Sequence, residues 1–255
     1  MKKVTSKDGT IISFDQSGTG PAIILVVGAF NDNTTGIPLA RSLEQHFTVF
    51  NYDRRGRGES GDAESYAIER EIEDLDALIA QAGGSAFVFG YSSGAILTLR
   101  AAAHGLNISQ LALYDPPPSG AKAGELAPQL TDLITAGHRG DAVELFQTEA
   151  VGIPAAVVAQ MRNAPFRPGL EKMAHTLVYE SIILQPLPTG LIASFRIPTL
   201  VIDGEESHEL LRQSARSLAD ALPKGQHLTL KGQGHNIVPE ILAPVLEDFF
   251  LTEKK

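Results

Sequence analysis

The sequence contains no cysteine. This absence excludes disulfide bonds, cysteine-ligated zinc, iron–sulfur clusters and a cysteine nucleophile. Two lysines follow Met1, but no apolar segment comes directly after them, so we predict no signal peptide. The longest early apolar run, residues 22–30, is too short to cross a bilayer. These features are compatible with the cytoplasm, and we predict a cytoplasmic protein without a membrane partner.

Positive charge is also scarce. Lysine and arginine number 21 against 30 aspartate and glutamate residues, which gives a formal net charge of −9. An acidic chain is a poor ligand for nucleic acid or for an anionic membrane surface, so we expect neither as a partner. Hydrophobic residues make up 43% of the 255 residues, enough for one large domain or for a core domain with an insertion.

Apolar runs of strand length alternate with stretches of helical periodicity over most of the chain. Six runs predict strands, at residues 22–27, 47–52, 86–89, 111–114, 199–202 and 227–230. Five stretches predict helices, at residues 37–45, 68–81, 93–104, 209–222 and 240–250. This alternation predicts an α/β fold, with a mostly parallel sheet flanked by helices. Asp8 and Gly9, between two short strand-like segments, predict an antiparallel hairpin before it.

The alternation is interrupted between Pro116 and Pro198. This segment is too long for a plain loop, opens with three prolines and contains helix-like patterns such as residues 169–184. We therefore predict a helical cap at residues 116–196. It would be inserted into a core domain made of residues 1–115 and 197–255.

Gly90-Tyr91-Ser92-Ser93-Gly94 is a G-x-S-x-G motif that follows a predicted strand and precedes a predicted helix. A nucleophile elbow needs this arrangement, because the small residues on either side relieve the crowding around a strained serine. Ser92 would then lie at a helix N-terminus, where the helix dipole favours developing negative charge. We predict Ser92 as a catalytic nucleophile. A glycine-rich turn without catalytic function is the alternative.

Two backbone amides are expected to bind the negatively charged oxygen that such a nucleophile creates. Ser93 directly follows the nucleophile and offers one N–H group. The loop at residues 28–31, after the first buried strand, is expected to offer the second, and Gly28 allows its backbone to approach the substrate. An ordinary turn after a buried strand is the alternative for this loop.

His235 is the candidate general base. Of the seven histidines, it is the one that follows a predicted strand in a loop with glycines before it, at Gly232 and Gly234. Such a loop can direct the imidazole towards Ser92. The alternative is a histidine of a surface loop.

Together these motifs resemble the α/β-hydrolase superfamily over nearly the whole chain. The resemblance is carried by the strand before Gly28, by YDRRGRGES at residues 52–60, by the G-x-S-x-G motif and by GQGH at residues 232–235. It implies an eight-stranded sheet, a catalytic triad in the order serine, acid, histidine, and a cap over the site. It also implies Ala29 and Ser93 as the two oxyanion donors.

The triad acid departs from the pattern of this superfamily. Its usual place, three residues after Gly204, holds Ser207. A second placement known in the superfamily directly follows the strand after the elbow helix, where this chain has Asp115. We predict Asp115 as the acid that orients His235 and stabilises its charged form. A turn residue before a proline is the alternative interpretation of Asp115.

Other carboxylates near the usual position keep the identity of the acid open. They follow the predicted strand at residues 199–202 but are out of step with the superfamily pattern, and they are Asp203, Glu205 and Glu206. Among them, Glu205 and Glu206 are the stronger alternatives to Asp115.

Residues 56–61 spell G-x-G-x-x-G, the glycine pattern of dinucleotide binding. A polar run at residues 62–65 follows it instead of a helix, so we expect a tight turn near the site, with Asp53 and Arg54 in structural roles. The pair His208 and Glu209 lacks a third metal ligand. We therefore predict neither a cofactor nor a metal.

These observations predict a serine hydrolase that cleaves a carboxylic ester or a related acyl bond of a small molecule through an acyl-enzyme. A serine at the elbow argues against the haloalkane dehalogenase and epoxide hydrolase branches, which resemble this fold but use aspartate there. Two alternatives remain, because a fold does not determine a function. One is a cofactor-free perhydrolase or lyase, and the other is a ligand-binding protein with a slow or inactive triad.

Overall fold

The computed structural model of the chain describes residues 1–120, 122–188 and 190–252. Residues 121 and 189 of the predicted cap and residues 253–255 of the predicted core lie outside the described residues. Within the described part, no helix is long and apolar enough to cross a membrane.

The described strands form one sheet of eight. Numbered along the chain, they are β1 Lys2–Thr5, β2 Ile11–Ser17, β3 Ala22–Val26, β4 Thr48–Tyr52, β5 Ala86–Tyr91, β6 Ile108–Tyr114, β7 Thr199–Gly204 and β8 Gly225–Leu230. Their spatial order is β1-β2-β4-β3-β5-β6-β7-β8. Strand β2 is antiparallel to β1 and to β4, and all other neighbours are parallel. The predicted eight-stranded, mostly parallel sheet and its N-terminal hairpin are confirmed.

Helices cover both faces of this sheet. In chain order they are α1 Asn33–Leu43, α2 Ile68–Gln81, α3 Ser93–Ala103, α4 Ala127–Thr135, α5 Arg139–Leu145, α6 Ala155–Gln160, α7 Arg167–Lys172, α8 Thr176–Ile183, α9 Leu191–Ser194, α10 Glu209–Ala221 and α11 Pro239–Leu251. Short 3₁₀ turns lie at Lys122–Glu125 and Met161–Asn163, and a π-helical turn lies at Phe146–Ala150.

Strand β3 shows how the two faces are separated. Ile23 and Leu25 belong to one buried cluster, which includes apolar residues of α1 and α11. Ile24 and Val26 belong to the other, which includes apolar residues of α2, α3 and α10. Successive side chains of a strand point to opposite faces, so a strand buried on both sides needs a continuous apolar run. This explains the unbroken apolar sequence of β3.

Helices α4 to α9 all lie between β6 and β7, in the segment for which we predict a cap. The helix-like stretch at residues 169–184 is two helices rather than one, because α7 ends at Lys172 and α8 begins at Thr176. In the turn between them, His175 accepts a hydrogen bond from Arg139 at 3.0 Å and contacts Asp62 at 3.2 Å. The division of the chain into core and cap stays a prediction.

The glycine-rich loop after β4 forms a tight turn around Asp53. The Asp53 carboxylate accepts hydrogen bonds from the backbone N–H groups of Asn33, at 2.8 Å, and Glu59, at 2.9 Å. Gly58 has a φ of 51°, and a β-carbon on it would come within 2.2 Å of that carboxylate. The glycine is therefore required by the contact with Asp53, which supports the structural interpretation of this loop.

A buried cluster of charges joins α8 to α2 and to the loops after β3 and β4. Arg54 contacts Glu71 at 2.6 Å and Glu180 at 2.7 Å, and Arg57 also pairs with Glu180. The Arg57 guanidinium further donates to the backbone oxygens of Gly28, at 2.6 Å, and Asn31, at 3.0 Å. Burial by itself raises the pKa of Glu180, but the charges of Arg54 and Arg57 outweigh it and lower the pKa overall. The cluster thus ties Glu180 of α8 to the loop after β3.

We expect Glu180→Gln to lower the free energy of unfolding by about 3–5 kcal/mol, because it leaves two arginines buried beside a neutral amide. Urea denaturation measures this loss. Glu149→Gln is the matched control, since Glu149 pairs with Lys122 at the surface and an exposed pair contributes less than about 1 kcal/mol. Equal losses in the two variants would contradict the assigned role of the buried cluster.

Candidate active site

Ser92 occupies the sharp turn between β5 and α3. Its backbone has a φ of 55° and a ψ of −128°, a conformation that residues other than glycine rarely adopt. The Ser92 N–H group donates to the backbone oxygen of Tyr114 in the neighbouring strand at 2.9 Å, which holds the turn against β6. The elbow predicted from G-x-S-x-G is therefore present in the backbone geometry.

Three glycines make this turn possible by allowing close backbone contacts. A β-carbon on Gly94 would come within 2.4 Å of the backbone oxygen of Val26, and one on Gly90 within 2.7 Å of the Ala95 α-carbon. A β-carbon on Gly28 would come within 2.8 Å of the Ser92 β-carbon. These approaches are too short for any larger residue. The glycines therefore bring β3, β5 and α3 together at Ser92.

We expect Gly94→Ala to destabilise the protein by at least about 1–3 kcal/mol, the cost of overpacking a core, and to reduce activity because α3 must move away from β3. Gly169→Ala is the matched control, because Gly169 lies in α7 with nothing within 4 Å of its added β-carbon. An alanine in an open helix position is expected to be neutral or to stabilise by up to about 1 kcal/mol. Thermal unfolding of both variants checks the difference, and equal melting temperatures would contradict it.

His235 and Asp115 are in direct contact. His235 Nδ1 lies 2.9 Å from Asp115 Oδ2, and Asp115 is fully buried. An ionised carboxylate can only accept a hydrogen bond, so Nδ1 carries the ring proton and Nε2 keeps a free lone pair. The ring of Tyr91 packs beside the imidazole with its centroid 5.0 Å away. This arrangement leaves Nε2 of His235 able to accept a proton.

Two further groups hold the Asp115 carboxylate. The hydroxyl of Ser207 donates to Oδ2 at 2.6 Å, and the backbone N–H of Gly204 lies 3.3 Å from Oδ1. Ser207 is the residue that stands where the superfamily usually has its acid. In this chain it contacts the carboxylate that comes from β6.

The other candidate acids point elsewhere. Asp203 is buried but contacts His227 at 2.8 Å and Thr229 at 2.8 Å. Glu205 accepts a hydrogen bond from the backbone of Gly232 at 2.8 Å, and Glu206 is exposed. None of these three described side chains contacts His235.

Backbone strain is concentrated at this edge of the sheet. Within the described residues, the non-glycine residues with a positive φ are Phe30 at 60°, Ser92 at 55° and Asp115 at 47°. They follow β3, β5 and β6, three adjacent parallel strands. Carboxyl ends of parallel strands meet at one edge, where α/β proteins bind their ligands. Strained backbone of this kind costs roughly 1–3 kcal/mol per residue and clusters at active sites.

Ala29 and Ser93, the predicted oxyanion donors, both line the pocket that contains Ser92. Ser93 begins α3, where the first N–H groups have no acceptor within the helix. The Ala29 N–H donates to the Ser93 hydroxyl at 2.9 Å in this structure. An oxyanion would therefore have to share or replace that acceptor to use the Ala29 amide.

The pocket has a volume of about 390 Å³. Its wall is mostly apolar, with side chains such as Pro117, Pro118, Phe146, Val151, Ile153 and Leu211. Its polar side chains are Ser92, Ser93, His208 and His235, and no lysine, arginine, aspartate or glutamate is among the described residues that line it. Such a pocket suits an uncharged, largely apolar ligand.

His208 also lines this pocket, although its sequence context predicted no functional role for it. It directly precedes α10, the amphipathic helix whose start the periodicity predicts at residue 209. The sequence signal that could have drawn attention to His208 is its place immediately before this predicted helix. Its place in the pocket that contains Ser92 depends on the fold.

Known proteins resemble this chain over most of its length. Residues 23–245 match the model of the Alpha/beta hydrolase family. The crystal structure of an alpha/beta hydrolase from Sphaerobacter thermophilus is 49% identical, covers 98% of this chain and 100% of that one, and superposes with a TM-score of 0.90. The chain therefore belongs to the Alpha/beta hydrolase family, and the prediction of this fold and superfamily is confirmed.

Two curated relatives also match this chain. The N-formylmaleamate deformylase of Pseudomonas putida is 29% identical over 231 residues, which cover 86% of this chain and 84% of that protein. The uncharacterized hydrolase YraK of Bacillus subtilis is 38% identical over 95 residues, which cover 36% of this chain and 35% of that protein. The chain is an enzyme of the hydrolase class, as predicted.

Proposed function

We propose that this hydrolase is a serine hydrolase that cleaves a carboxylic ester or a related acyl bond of a small molecule. The contact between His235 Nδ1 and the buried Asp115 carboxylate is the observation that carries the proposal. It orients a base in the pocket that also contains the strained Ser92. The related bonds include an N-formyl bond, because the Pseudomonas putida relative is named as a deformylase.

In the first half of the reaction, Ser92 Oγ attacks the substrate carbonyl carbon and His235 Nε2 takes the hydroxyl proton. The carbonyl oxygen becomes an oxyanion, which accepts hydrogen bonds from the N–H groups of Ser93 and Ala29. When the intermediate collapses, His235 returns its proton to the leaving alcohol, and Ser92 remains acylated. Asp115 stabilises the imidazolium that exists between the two proton transfers.

In the second half, His235 takes a proton from water, which attacks the acyl carbon of the Ser92 ester. The second oxyanion uses the same two amides, and its collapse releases the carboxylic acid while His235 returns the proton to Ser92 Oγ. Within the described residues, Ser92 and His235 form no direct hydrogen bond. Catalytic hydrogen bonds are often long without substrate and tighten in the complex, so we expect this one to form on binding.

Three features bear on where and on what the enzyme acts. The apolar pocket favours an uncharged small-molecule acyl substrate, and helices α4 to α9 would form the cap above it. We propose that the enzyme acts in the cytoplasm, because a chain without cysteine cannot form the disulfide bonds that are common in oxidising compartments. The oriented His235 favours catalysis over a role in ligand binding alone.

Hydrolysis of p-nitrophenyl esters, from acetate to octanoate, tests the proposal. We expect turnover by the wild type and a loss on the order of 10⁴-fold or more in Ser92→Ala. Asp115→Asn should lose about 10³- to 10⁴-fold, because an amide selects the wrong imidazole tautomer. Glu205→Gln is the matched control for the acid and should retain the wild-type rate within about twofold, since an exposed substitution away from the triad disturbs little.

Two results would overturn parts of this scheme. A rate equal to wild type in Asp115→Asn, together with a large loss in Glu205→Gln, would transfer the role of the acid to Glu205. A wild type that hydrolyses no ester and is not labelled by a fluorophosphonate would show that Ser92 is not an activated nucleophile. The ligand-binding alternative would then replace the hydrolase mechanism.

A further inference from the structure

A second histidine lies in the same pocket as the proposed triad. His208 lines the pocket together with Ser92 and His235, and its side chain is exposed to solvent there. The proposed acyl transfer makes no use of it. Because the rest of the wall is mostly apolar, a polar side chain at this position can select between substrates.

The hydrogen-bond role of His208 is set by the helix that follows it. His208 is the N-cap residue of α10, and its Nδ1 accepts the backbone N–H of Leu210 at 3.2 Å. A backbone N–H can only donate, so Nδ1 must carry the lone pair. In a neutral imidazole the other nitrogen then carries the hydrogen, and Nε2 is a donor.

The two pocket histidines therefore have opposite tautomers. His235 is held by a carboxylate, which leaves its Nε2 free to accept a proton. His208 is held by a backbone N–H, which leaves its Nε2 free to donate a hydrogen bond. One ring can serve as the base of the reaction, and the other can bind an oxygen atom of the substrate.

We propose that the Nε2–H group of His208 determines specificity by donating a hydrogen bond to an uncharged oxygen of the substrate. This oxygen would be a carbonyl or ether oxygen carried in addition to the acyl group that Ser92 attacks. The proposal deepens the serine-hydrolase function above and rests on it. An uncharged acceptor fits best, because the described wall of the pocket contains no lysine or arginine to pair with a carboxylate.

Matched esters measure this preference. On the acyl side, p-nitrophenyl hexanoate and heptanoate are each compared with their 4-oxo and 5-oxo derivatives. On the alcohol side, butyl hexanoate is compared with 2-methoxyethyl hexanoate. For each pair, the ratio of kcat/KM with and without the extra oxygen is compared between wild type and His208→Asn. Asparagine keeps a side-chain acceptor for the N-cap of α10 but places no donor at the position of the imidazole Nε2.

We expect the wild type to favour at least one oxygen-bearing ester by about threefold to tenfold, the range that a hydrogen bond between neutral groups contributes. His208→Asn should lose this preference, so that its ratio of kcat/KM with and without the extra oxygen falls to about one. His138→Asn is the matched control, because His138 is also an exposed N-cap residue but lies outside the pocket. It should retain the full preference.

The outcomes separate this inference from the proposed function. If the plain esters are hydrolysed through Ser92 but no oxygen-bearing ester is favoured, or if His208→Asn keeps the preference, the role of His208 is overturned and the serine hydrolase stands. If no ester is hydrolysed, the tautomers of the two histidines still test the inference about His208. Long-range ¹H–¹⁵N spectra should show the hydrogen of His208 on Nε2 and that of His235 on Nδ1, and a His208 with its hydrogen on Nδ1 would overturn the inference by itself.

Discussion

The strained backbone of Ser92 is the constraint on which the rest of the site depends. A positive φ at a serine persists only where the surrounding structure leaves no alternative. Here β6 accepts the Ser92 N–H through the Tyr114 oxygen at 2.9 Å, and Gly94 lets α3 approach the backbone of β3. The elbow is thus held by the strands on both sides of β5. The same packing that stabilises the sheet aims the serine into the pocket.

The position of Asp115, the proposed acid, follows from the pairing of neighbouring parallel strands. Tyr114 in β6 lies opposite Ile202 in β7, and the N–H of Asp115 donates to the Ile202 oxygen at 2.8 Å. The ends of these two strands are therefore side by side, so a carboxylate after either strand can approach the same imidazole. In this chain β6 supplies the carboxylate, and Ser207 after β7 supplies a hydroxyl that holds it.

Charge balance links the site to the helices between β6 and β7. Glu180 of α8 pairs with Arg54 and Arg57, and Arg57 binds the backbone oxygens of Gly28 and Asn31 on either side of Ala29. A buried arginine without a carboxylate is very costly, so Arg57 and Glu180 require each other. The loop that contains Ala29 is therefore held by Arg57, whose charge is balanced by Glu180, 123 positions further along the chain.

The sequence by itself determined the strands, the elbow at Ser92 and the loop of His235, because these features depend on short-range patterns of apolar residues and glycines. It left the acid open among four carboxylates that follow predicted strands, namely Asp115, Asp203, Glu205 and Glu206. Only the pairing of β6 with β7 brings Asp115, and neither glutamate, to the imidazole. The partners of Arg57 and the place of His208 likewise depended on contacts between distant segments, which no local periodicity encodes.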